Sequence, residues 1–190
     1  PPSIRVDEGL VLRPAARTLA PEIVEAFEET WPDVIRAMPW INPDNEIRPQ
    51  IEDFIADTER KGRSGLLHHW IMIRPWDGYV IGLIGFDRVT RSNRATWNLG
   101  YWVRSSEQRH GYARRSIDAA LGWLGQVGEL IVAVTVDPNN APGSNTVVRT
   151  IRNRTGERCV FGDSAITVAG VRALHEVHII QFGPETLPTV

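Results

Sequence analysis

The chain has 190 residues, 42% of them apolar, and its 21 Lys and Arg against 23 Asp and Glu give a formal charge of −2. That length suits one domain with a sizeable core, and a near-balanced charge argues against a dedicated nucleic-acid binder. No stretch approaches the roughly 20 apolar residues of a membrane span, and the opening "PPSIRVDEGL" lacks the apolar centre of a signal peptide, so a cytoplasmic protein without membrane association is expected.

In chain order, a first strand is expected over residues 10–13, ended by Pro14. Pro21 suits the first turn of a helix in which Ile23, Val24, Phe27 and Trp31 share one side. Pro32, Pro39, Pro43 and Pro49 then divide the chain before a second helix, over residues 50–61, that carries Ile51, Phe54 and Ile55. Three strands follow, "LLHHWIMIR", "YVIGLIGFDRV" and "ATWNLGYWV", the first two joined by "PWDG", whose Asp-Gly pair supplies the positive φ of a tight hairpin. A helix with Ala113, Ile117, Ala120, Leu121 and Leu124 on one face comes next, then the β-branched run "LIVAVTV" as a buried strand. "NTVVRTIRNRTG" reads as a short helix closing at Gly156, with "APGSN" as an insertion before it. A last hairpin turns around Ala169-Gly170. The order predicts an α+β protein with a mixed, mostly antiparallel central sheet flanked by helices.

Lone Cys159 excludes an internal disulfide and a multi-thiolate zinc site. His68 and His69 adjoin on a strand and therefore point to opposite faces, so they do not share a metal; no metal is expected. Acids dominate residues 22–59, while Arg149, Arg152, Arg154 and Arg158 cluster later. These are either solvated faces or rims that meet a cationic substrate and an anionic ligand. Lys61 is the only lysine.

The stretch "EQRHGYARRSIDAALGWL" sets Arg109, His110, Gly111, Arg114 and Arg115 around a helix start. A helix N-terminus already carries partial positive charge and unpaired N–H groups, so added cations there suit an anion such as phosphate. Gly111 would let a ligand approach the backbone. A solvated basic helix end is the alternative.

In its setting, "LGYWVRSSEQRHGYARRSIDAAL" resembles the acetyl-CoA-binding core of the GNAT N-acetyltransferases, whose pattern of Gln/Arg-x-x-Gly-x-Gly/Ala is matched by residues 108–113. "IGLIGF", "LGYWV", "GYA" and "MPWI" are similar to the RimJ/RimL branch, and the resemblance spans most of residues 1–190. It implies one acetyltransferase domain that moves an acetyl group from acetyl-CoA to an amine by direct attack, as a monomer or homodimer. It also implies that Gln108, Arg109, His110, Gly111, Tyr112, Ala113 and Arg114 hold the pyrophosphate, and that strands over residues 98–103 and 130–136 diverge around the pantetheine. Trp102 or Val103 would offer an N–H to the oxyanion, Asn145 would contact the pantetheine, and Arg149 or Arg152 would reach the 3′-phosphate.

The chain departs from that branch at the chemistry. Asn98 stands where such enzymes often carry a Glu, and a neutral amide orients an amine or water but takes no proton. Val148 replaces the usual Ser proton donor, with Ser144 as a substitute, and Tyr79, Tyr101 and Tyr112 sit elsewhere in the sequence. "NRTGER" replaces the usual capping segment. Asp87 and Glu46 are further base candidates, and Trp31, Trp40 and Trp76 candidate walls of an acceptor groove. The acceptor is a protein or peptide N-terminal α-amine or a small molecule such as an antibiotic. A CoA-binding module without turnover is a second reading, and nucleic-acid binding through "RTIRNRTGER" a third, disfavoured by the net charge.

Overall fold

The computed structural model describes residues 1–36, 38, 40–88, 96–127, 131–137, 139–152, 158–168 and 171–181. Their strands form one eight-stranded sheet in the order β1-β2-β3-β4-β5-β6-β8-β7. In chain order these are β1 (Ile4–Asp7), β2 (Leu10–Pro14), β3 (Leu67–Ile73), β4 (Val80–Arg88), β5 (Trp97–Val103), β6 (Ile131–Val136), β7 (Arg158–Val168) and β8 (Val171–Gln181). Every neighbouring pair is antiparallel except β5 with β6. The helices are α1 (Ala20–Thr30), α2 (Ile47–Arg63), α3 (Tyr112–Gln126) and α4 (Ala141–Arg152).

Alternation along the strands creates two cores. On one face Trp70, Phe86, Trp97, Leu99, Val132 and Val134 pack against Ile117, Ala120, Leu121 and Leu124 of α3 and Val147 of α4. On the other, Ile71, Ile73, Leu83 and Trp102 pack against Ile23, Val24 and Phe27 of α1 and Ile51 and Ile55 of α2. Each fully buried Leu, Ile or Phe contributes about 1.5–3 kcal/mol, so both helix layers are held by the apolar stripes read from the sequence.

Three elements correct the sequence reading. β1 was not foreseen; its short "IRVD" pairs with β2 through a turn in which Gly9 N–H donates to Asp7 Oδ1 at 2.8 Å. α2 begins at Ile47, because Pro49 falls in the first turn, where a missing N–H costs nothing. α4 begins at Ala141, so "APGSN" is its first turn and not an insertion. Asn140 caps it, with Oδ1 accepting from Gly143 N–H at 3.1 Å. The expected helix end at Gly156, Arg154 and the Ala169-Gly170 turn lie outside the described residues. Gly78 takes φ +74° in the β3–β4 hairpin, as the Asp77-Gly78 pair predicts. None of the helices among the described residues is long and apolar enough to cross a membrane.

Candidate active site

Among the described residues the parallel pair β5–β6 is matched only at Trp97–Val132, Asn98–Ala133 and Leu99–Val134. β5 continues to Val103 against β4, and β6 continues to Val136 against β8. Beyond Leu99 the two strands therefore part, and a cleft opens in the plane of the sheet. Arg104 N–H donates to Ile81 O at 2.8 Å. In an antiparallel ladder this turns the polar backbone of residues 100, 102 and 104 toward β4 and that of Tyr101 and Val103 toward the cleft. The pair of candidate oxyanion donors is thus corrected: Trp102 is committed to β4, and Val103 and Tyr101 face the cleft. The Trp102 side chain is core, edge-on to Phe27 at 6.1 Å.

The turn from β5 into α3 leads away from this cleft. Gln108 Nε2 donates to Val103 O at 3.1 Å, tying the turn back to the strand. Arg109 has φ +65° and Gly111 φ +78°, two left-handed residues flanking His110. Successive backbone N–H groups in such turns converge on a concavity that suits an anion. Gly111 is the N-cap of α3 with no side-chain capping bond, so the first-turn N–H groups of Tyr112, Ala113 and Arg114 point outward. A Cβ on Gly111 would meet nothing within 4 Å, so space lies before it. Arg109, His110 and Arg114 remain at this end, Arg114 with Asp118 at 3.7 Å. Arg115 is turned away, paired with Asp7 and stacked 4.7 Å from the Tyr112 ring.

The approach to that turn is anchored on α1. Arg104 is 2% exposed, lies 4.2 Å over the Tyr79 ring and sits 3.3 Å from both Glu25 and Glu29. Ser105 N–H donates to Thr30 Oγ1 at 3.3 Å and Ser106 N–H to Glu29 Oε1 at 3.0 Å. Part of the acidic α1 face is therefore structural, holding the segment that precedes the turn.

Across the cleft stands the first turn of α4. Ser144 lies in it half-buried, and Asn145 follows, exposed. Tyr101 was placed elsewhere from its sequence position, yet its hydroxyl donates to Gly143 O at 3.3 Å and reaches the same turn. Burial pushes its pKa up to about 12, against a smaller opposing effect of Thr146, so it stays protonated through neutral pH. Arg149 is exposed on α4.

On the α1–α2 face, Asn98 is paired in register with Asp87. Asp87 Oδ1 lies 2.9 Å from His69 Nε2, and Asp87 lines a groove of about 480 Å³ with Trp40, Asp53, Phe54 and Leu67. Trp40 stacks on Phe54 at 4.6 Å. Trp31 packs instead against Phe27 at 5.9 Å, and Trp76 stands exposed near Arg74 in the hairpin, so of the three tryptophans only Trp40 lines this groove. Glu46 is the N-cap residue of α2, and its backbone oxygen accepts from Gln50 Nε2, a residue of the same groove.

The divergent parallel pair, the anion-ready helix start and the groove lie in or beside a stretch, residues 9–151, that matches the acetyltransferase (GNAT) domain model. The chain belongs to the GNAT acetyltransferase family, as an acyltransferase. Its fold is similar to RimL, the ribosomal L7/L12 α-N-protein acetyltransferase in complex with coenzyme A, at TM-score 0.79 and 15% identity, covering 94% of this chain and 97% of that one. It is also similar to the ribosomal-protein-S5-alanine acetyltransferase of Vibrio fischeri (TM-score 0.76, 14% identity, 94% and 96% covered). A third similar structure is the microcin C7 self-immunity acetyltransferase MccE with acetyl-CoA and AMP (TM-score 0.78, 17% identity, 96% and 97% covered). The sequence matches no curated protein.

Proposed function

We propose that this chain is an acetyl-CoA-dependent N-acetyltransferase acting on a low-pKa primary amine, with a peptide N-terminal α-amine as the preferred acceptor. The observation that carries the reading is the parting of β5 from β6 after Leu99, with the left-handed turn at Arg109–Gly111 beyond it. The cleft takes the pantetheine as an added strand would be taken, through backbone groups of Tyr101 and Val103. The first-turn N–H groups of α3, with Arg109, His110 and Arg114, take the pyrophosphate. Asn145 is assigned to the pantetheine arm. One well-placed N–H from Val103 or Tyr101 stabilises the tetrahedral oxyanion by about 3 kcal/mol. Ser144 is assigned the hydrogen bond to the departing thiolate, and the Tyr101 hydroxyl, bonded to Gly143 O, holds the turn that carries it.

The acceptor preference follows from proton chemistry. Neutralising a lysine-type ammonium at pH 7 costs about 4.6 kcal/mol, whereas an α-ammonium of pKa about 7.7–8.0 costs about 1 kcal/mol. That cost is the same whichever group relays the proton to solvent, which favours the second. The ribosomal-protein enzymes of similar fold support the same acceptor class, and the chain is assigned to the cytoplasm as one domain on the same reading.

Acetyl-CoA in hundredfold excess over Kd is expected to stabilise the fold by about 2.7 kcal/mol, read as a shift in the melting curve. Gly111→Val places a branched side chain in the open space before the helix, and should remove most of that shift. An unmoved wild-type melting curve would overturn the cofactor assignment.

A further inference from the structure

Asn98 leaves its own strand without a carboxylate, and the ladder brings one in from the next strand. Asp87 and Asn98 are direct partners in the β4–β5 register. Counting from the Arg104–Ile81 bond, theirs is a hydrogen-bonded pair, with Cα atoms about 5.5 Å apart and both side chains on one face. The adjacent rung on that face of the sheet pairs Gly85 with Gly100. A Cβ on Gly85 would fall 2.2 Å from the His69 ring, while a Cβ on Gly100 would meet nothing within 4 Å. The paired glycines thus floor a hollow whose one half holds the His69 ring and whose other half is open beside Asn98.

His69 is 5% exposed and bonds Asp87 through Nε2, whereas Asp87 is 54% exposed. An ionised carboxylate only accepts, so His69 Nε2 carries the proton and donates. His69 Nδ1 is buried with no hydrogen-bond partner among the described residues; a proton there would leave a buried N–H unbonded. The ring therefore orients Asp87 and is not the proton's destination. No other described residue donates to the Asp87 carboxylate, and the neighbouring groove brings Asp53 to the same side, its Lys61 being paired with Asp57, so the local charge suits a cation.

We propose that Asp87, positioned by His69, binds the acceptor's ammonium in the hollow over Gly85 and Gly100 and takes its proton through water, replacing the carboxylate absent at Asn98. This rests on the acetyl-transfer reading above. Asp87 accepts one proton from the ammonium and returns it to solvent. The freed nitrogen lone pair forms the C–N bond to the thioester carbon as the C–O π pair moves to oxygen. That pair then returns, the C–S bond breaks, and the surplus proton on nitrogen ends on the thiolate.

The test compares wild type, Asp87→Asn, Asp87→Glu, His69→Gln and the double variant, using the tripeptide Ser-Ala-Gly as acceptor and the acetyl-CoA melting shift as a separate readout. Asp87→Asn should lower kcat/KM by about 100-fold with the melting shift retained, and Asp87→Glu should recover part of it. His69→Gln should cost less, should cost nothing further on the Asp87→Asn background, as expected of groups in contact, and should shift the acid limb of the kcat/KM–pH profile, which a purely structural role would leave in place. An Asp87→Asn enzyme within about threefold of wild type, or additive losses in the double variant, overturns the proposal. Absence of a wild-type melting shift or transfer would instead overturn the acetyl-transfer reading itself.

Discussion

β3 sends His68 and His69 to opposite faces of the sheet, and the two rings meet opposite surroundings. His68 lies 4.8 Å from both Trp97 and Trp123 on the α3 side, where burial, with lesser effects from neighbouring cations including His69 and Arg88, lowers its pKa to about 4. His69 stands on the α2 side against Asp87, over a glycine, beside a groove. One face is closed with aromatic rings to hold β3, β4 and β5 together. The other is left open at Gly100. The same side chain, moved by one position, changes from packing material to the partner of a carboxylate.

The largest effect that separates the faces is a pH dependence. An unfolded histidine binds a proton below about pH 6.5, while folded His68 does not until about pH 4, so stability should fall as pH drops through that window, by up to about 3 kcal/mol. Urea unfolding at pH 7 and pH 4.5 should show this slope in wild type and a shallower one in His68→Phe. An unchanged slope would mean that the tryptophan face does not exclude the charge. A smaller effect, with opposite signs on one rung, comes from alanine at the paired glycines. Gly85→Ala forces the His69 ring aside and should cost about 1–3 kcal/mol, whereas Gly100→Ala enters open space and should stabilise by about 0.4–1 kcal/mol. Equal costs in chemical denaturation would remove the hollow. The smallest effect concerns the α3 turn: Arg109→Gly relieves a left-handed residue and should change apo stability by no more than about 1 kcal/mol. The acetyl-CoA melting shift should shrink in the same variant, because a cation is lost; a shift equal to wild type would place the anion elsewhere.

Much of this was legible where residue type and period agree. The stripe Ile117, Ala120, Leu121, Leu124 gave α3, and the β-branched and aromatic runs gave β3 to β6. The turn at Arg109–Gly111 was readable because few positions tolerate left-handed backbone and Gly111 marks one. What stayed hidden depends on register. Nothing in the linear order of Asp87 and Asn98 says that they are rung partners, nor that Gly85 faces Gly100. The reach of Tyr101 to Gly143 depends on where α4 starts, and a helix read from Asn145, with "APGSN" as an insertion before it, omits that first turn. Asn140, a capping residue just ahead of Ala141 and Pro142, was the available signal for the true start.

The three rungs between β5 and β6 also have a mechanical meaning. Among the described residues they are the sole strand-to-strand weld between a plate of β1 to β5 and a plate of β6, β8 and β7, with α3 and α4 packed together as a strap across them. A molecule lodged between the plates adds rungs where the weld ends, so its binding stiffens the seam itself. Amide exchange at residues 97–99 and 132–134 would then slow on binding, far more than in the hairpin of β7 and β8, which no wedge touches.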